Sequence, residues 1–63
     1  MIAASIGLRL AEMAMGSKEG WESTWALVDF AKEIRESKAR RTELAATFGV
    51  TEKFLISWAN NIL

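Results

Sequence analysis

The chain has 63 residues, with eight Lys and Arg balanced by eight Asp and Glu, and it lacks Cys, His and Pro altogether. A length of this order allows one domain, which buries only about 60% of the surface its unfolded chain exposes. Without Cys or His there are no disulfides, no usual zinc ligands and no ordinary nucleophile–base pair, so no structural metal, cofactor or catalysis is expected.

Apolar residues make up 51% of the chain and include three Trp and three Phe, enough for a core. Absent proline and abundant Ala, Leu, Glu and Lys predict an all-α fold. No run approaches the roughly 20 apolar residues that span a bilayer. The opening "MIAASIGLRLAEMAMG" lacks a basic start and is interrupted by Arg9 and Glu12, so it reads as part of the fold and not as a signal peptide. A cytoplasmic protein is expected, with no membrane partner and no small-molecule substrate.

Taken in order, the first helix runs from Ile2 to Met15. Ile2, Ala3, Ile6, Leu10, Met13 and Ala14 recur near the helical period. Leu8, Ala11 and Met15 widen the apolar surface beyond one stripe, so this helix needs cover on more than one side. It is expected to pack on the rest of the chain or to pair with a second subunit in a homodimer. "GSKEG", residues 16 to 20, ends it.

The second helix is expected to begin between Trp21 and Thr24 and to reach Glu36. Ser23 or Thr24 would cap it, with Ser17 as a competing earlier start. Leu27, Phe30, Ala31 and Ile34 form its inward face, and Trp21, Trp25 and Val28 an adjoining stripe facing the first helix. All three Trp, including Trp58, are read as core, and Met13 and Met15 as packing residues. The polar, basic "SKARR", residues 37 to 41, is the next break.

From Arg41 to Phe48 there is room for two turns of helix, with Leu44 and Phe48 on one face. Gly49 enters the left-handed region without steric cost and so ends the helix sharply. Val50 drops toward the core, and Thr51 is suited to cap a final helix from Glu52 whose inward residues are Leu55, Trp58 and Ile62. Phe54 and Ile56 flank Leu55, and all three cannot face one core. Helices joined by so short a turn cross at roughly 90–120°, which calls for a small residue at the contact. Ala45, four residues before Gly49, supplies it.

Charge is unevenly spread along this neutral chain. Residues 21 to 36 hold Lys32 and Arg35 against Glu22, Asp29, Glu33 and Glu36. Residues 37 to 63 hold Lys38, Arg40, Arg41 and Lys53 against Glu43 and Glu52. The positive end is the end that carries the glycine-centred helix pair.

The stretch from Arg41 to Asn60 resembles the helix-turn-helix motif of small phage and bacterial regulators. Ala45 stands at its fifth place, Gly49 at its ninth, and Leu55 and Trp58 at its fifteenth and eighteenth. "LAATFGVT" followed by a helix is also similar to phage small-terminase and excisionase-type DNA-binding domains. The resemblance implies a tri-helical core over residues 21 to 63, preceded by the apolar N-terminal helix, in a single domain. It implies duplex DNA as partner, bound by a transcriptional regulator, with Thr51 to Ile62 as the recognition helix in the major groove.

Glu52, Lys53 and Ser57 would then approach base edges, with Ile56 and Asn60 alongside. Lys53 can donate to guanine O6 or N7, Glu52 can accept from cytosine N4, and Ile56 can meet a thymine methyl group. Lys38, Arg40, Arg41, Thr42 and Thr51 suit phosphates, which fix register without reading sequence. Two other uses of the same helices compete: recognition of DNA for packaging by a small terminase subunit, and a helical protein-interaction domain without DNA binding.

Overall fold

The computed structural model describes residues 2–63, with side chains from Ile6 onward. The fold is all-α, with four helices: α1 (Ile2–Met15), α2 (Gly20–Glu36), α3 (Lys38–Phe48) and α4 (Glu52–Ile62). Ile2 and Ala3, expected on the inner face of α1, have side chains outside the described residues. The central element is α2, which packs against each of the other three helices. Among the described residues, no helix is long and apolar enough to cross a membrane.

One core forms from Ile6 and Leu10 of α1, Phe30, Ala31 and Ile34 of α2, Leu44 of α3, and Leu55 and Ala59 of α4. Removing Leu10, Ile34, Leu44 and Leu55 from water stabilises the fold by about 2 kcal/mol each. Ala14, Ala45, Phe48, Val50, Phe54, Trp58 and Ile62 close the cluster at its margins. Trp58 meets the Phe30 ring edge-on, centroids 6.1 Å apart at 76°, the T-shaped arrangement aromatic quadrupoles favour. Helix α1 packs over the same indole at Gly7, where a Cβ would sit 3.4 Å from Trp58 Cδ1 and Nε1, at the near edge of ordinary van der Waals contact. The N-terminal helix therefore completes the chain's own core.

Several expectations are corrected by this arrangement. Helix α2 begins at Gly20, and neither Ser23, Thr24 nor Ser17 caps it. Gly16 and Gly20, at φ +57° and +61°, turn the chain back within five residues and so start the helix upstream of those hydroxyls. Ser23 Oγ and Thr24 Oγ1 instead donate to Gly20 O at 2.7 and 3.4 Å. The break before α3 is one residue, Ser37, and not the whole of "SKARR". Its amide donates to Glu33 O at 2.8 Å, while its hydroxyl accepts from the Arg40 amide at 3.1 Å and caps α3. Lys38 and Arg40 thus lie in the first turn of a helix, three residues earlier than the sequence suggested.

Trp21 and Trp25 are not core residues; they are 77% and 60% exposed. The buried arc of α2 is centred on Ala31 and Ile34, and both indoles fall on the opposite side. Met13 is likewise exposed, and Leu27 is only half-buried. Of the two residues flanking Leu55, Phe54 packs against the core and Ile56 faces outward.

Candidate nucleic-acid interface

The turn between α3 and α4 is built from backbone geometry. Gly49 adopts φ 68°, ψ 35°, and the Val50 amide donates to Ala45 O at 3.0 Å. That six-to-one hydrogen bond closes the last turn of α3 and carries Val50 onto the core beside Ala45. Thr51 follows in extended conformation, and its Oγ1 accepts from the Phe54 amide at 3.0 Å, capping α4. Leu55 and Ala59 are fully buried. Helical spacing then directs Lys53, Ile56, Ser57, Asn60 and Asn61 outward, and each is exposed.

At the start of α4 the structure brings Lys38, Arg41 and Glu52 together. Arg41 Nε donates to Glu52 Oε1 at 3.3 Å, and Lys38 Nζ reaches Glu52 Oε2 at 3.5 Å. The Arg41 hydrogen bond, above all, holds the Glu52 carboxyl below the usual carboxylate range, opposed by partial desolvation and aided by Lys38. Arg41 Nη1 also donates to Ile34 O and Arg35 O, at 2.8 and 2.9 Å. These are carbonyls of the last turn of α2, which lack intrahelical partners. One guanidinium, its side chain only 15% exposed, thus ties the end of α2 to the start of α4. No motif marks this role, which depends on three helices converging.

Arg40 is held differently. Its guanidinium lies 5.5 Å from the centroid of the Phe30 ring, and Nη1 donates to Glu43 Oε1 at 2.6 Å. Its Nε stands 3.7 Å from Glu33 Oε1 without a hydrogen bond. Lys38, by contrast, is 76% exposed and makes only the long contact with Glu52. Lys53 has no ion pair among the described residues, and Thr42 is exposed on α3.

The surface that results has two parts. The outward face of α4 presents one cation, a hydroxyl, two carboxamides and one branched apolar side chain, with no acid among Lys53, Ile56, Ser57, Asn60 and Asn61. Glu52, the sole acid of α4, has each carboxylate oxygen turned to a cation of α3. Such a face can donate and accept hydrogen bonds without presenting an unpaired negative charge. No protein-family model matches the chain, and no curated protein or solved structure is significantly similar to it.

Proposed function

We propose that the protein binds duplex DNA through α4, as a cytoplasmic transcriptional regulator of phage or bacterial type acting as a homodimer. The observation that carries this reading is the acid-free outward face of α4, set beside an exposed Lys38 and held on a glycine-turned helix pair. In this reading Lys53 and the Ser57, Asn60 and Ile56 side chains meet base edges. Lys38, Thr42 and the Thr51 hydroxyl meet phosphates. Glu52 contributes by orientation, since its oxygens already accept from Arg41 and Lys38, and Arg40 and Arg41 contribute mainly by holding the helices in place.

The test is fluorescence anisotropy with a pool of duplex DNA across salt concentrations, followed by recovery of the tightest binders. Affinity should fall linearly on a log–log salt plot, with a slope reduced by about 0.9 when Lys38→Ala removes one phosphate neighbour, whereas Lys53→Ala should relax the sequence preference of the recovered pool. Those two lysines are the informative probes because neither is buried in the fold. Undetectable binding would remove the proposal. Exposed Ile56 on the same face favours a second reading, docking of a protein partner; that reading gains if binding is salt-independent and lost in Ile56→Glu.

A further inference from the structure

The solvent face of α2 carries a stripe that the DNA reading does not use. Trp21, Trp25, Val28 and Lys32 follow one another at intervals of four, three and four residues, the spacing of a helix–helix seam. Both indoles are largely in water, Val28 is half-buried, and Lys32 is exposed with no ion pair among the described residues. At about 250 Å² per tryptophan side chain, the exposed indole surface is roughly 340 Å² per chain. That is about 40% of the 800 Å² or so that each partner contributes to a standard interface. Two adjacent tryptophans standing in solvent are the kind of apolar patch that marks an interaction surface.

We propose that this stripe is where two copies of the chain associate, with the two α2 helices antiparallel about a two-fold axis. In that arrangement the stripe is complementary to itself. Positions whose numbers sum to 53 lie opposite one another, so Trp25 faces Val28 of the second copy and Trp21 faces its Lys32. The first pairing joins two apolar side chains. The second sets an otherwise unpaired ammonium against an indole face, a cation–π contact that strengthens as water leaves. Each contact occurs twice because a two-fold interface uses the same patch on both subunits. The α1 helix is a poorer seam, since Ile6 and Leu10 are committed to the chain's own core. Because α4 packs on the inner side of α2, pairing through the outer side leaves the Lys53 face uncovered.

Sedimentation equilibrium without DNA tests this independently of the DNA reading. The wild type should be a dimer, with a tryptophan emission maximum that moves to shorter wavelength as concentration rises. Trp25→Glu should weaken association more than about 30-fold, the scale of a lost hot spot, while its circular dichroism stays native because the side chain faces solvent. Lys32→Arg should keep the dimer, whereas Lys32→Glu, which sets a carboxylate against the indole, should weaken it by about tenfold. A wild type that remains monomeric at about 1 mM would overturn the proposal. So would a dimer insensitive to Trp25→Glu, or a monomer whose tryptophan emission responds to lipid vesicles and not to concentration.

Discussion

Replacing Arg41 by Ala removes a side chain that joins three helices. Its Nη1 bonds to Ile34 O and Arg35 O are charge-assisted and lie where only 15% of the side chain remains exposed. Hydrogen bonds to charged groups contribute about 1.5–3 kcal/mol each. One nitrogen makes both here and water can partly replace it, so the pair together contributes about 2–3 kcal/mol. A domain of this length has total stability of roughly 3–9 kcal/mol, so the loss is a large fraction of the whole. At about 4–8 °C per kcal/mol for so small a domain, Arg41→Ala should lower Tm on the order of 10–20 °C. Arg41→Lys should recover little, because an ammonium on a flexible stem cannot serve two carbonyls and a carboxylate in one plane. Thermal unfolding followed by far-ultraviolet circular dichroism measures this. A melting temperature within about 3 °C of wild type for Arg41→Ala would refute the reasoning.

Two further outcomes follow from the same region. Gly49→Ala meets no heavy atom within 4 Å, so its cost is strain at φ +68° alone, about 1–2 kcal/mol, and Gly49→Asn should cost less in the same urea titration. Glu52 has a lower pKa folded than unfolded, so its pairing stabilises the fold above the unfolded value of about 4.3 and ceases to do so as pH falls through the lower folded value. Urea midpoints measured from neutral to acid pH should therefore decline more steeply for wild type than for Glu52→Gln.

Much of the helix pair is legible in the sequence, because each residue there satisfies a local rule. Gly49 is needed for a left-handed turn, Thr51 caps, Leu44 and Phe48 share one face of α3, and Leu55, Trp58 and Ile62 recur at the helical period along α4. Trp21 and Trp25 are misplaced by the sequence pattern because, with Val28, they share a stripe that adjoins the Leu27, Phe30, Ala31 and Ile34 face. Periodicity says which residues share a face, not which of two adjoining faces the other helices will cover. Arg41 was legible as a cation but not as a cap, since its carbonyl partners lie six and seven residues back on another helix. Glu52, expected at a cytosine edge, instead has both carboxylate oxygens turned to cations of α3, a pairing across helices that no local pattern announces.

The most direct measurement is amide chemical-shift mapping of the wild-type chain as duplex DNA recovered from the random pool is added. DNA binding through α4 predicts that perturbations concentrate on Thr51–Asn60 and on the Lys38–Thr42 turn of α3, and that salt reverses them together. Perturbations confined to the Trp21–Lys32 face, or none at all at saturating DNA, would contradict the assignment of α4 as the surface that reads DNA.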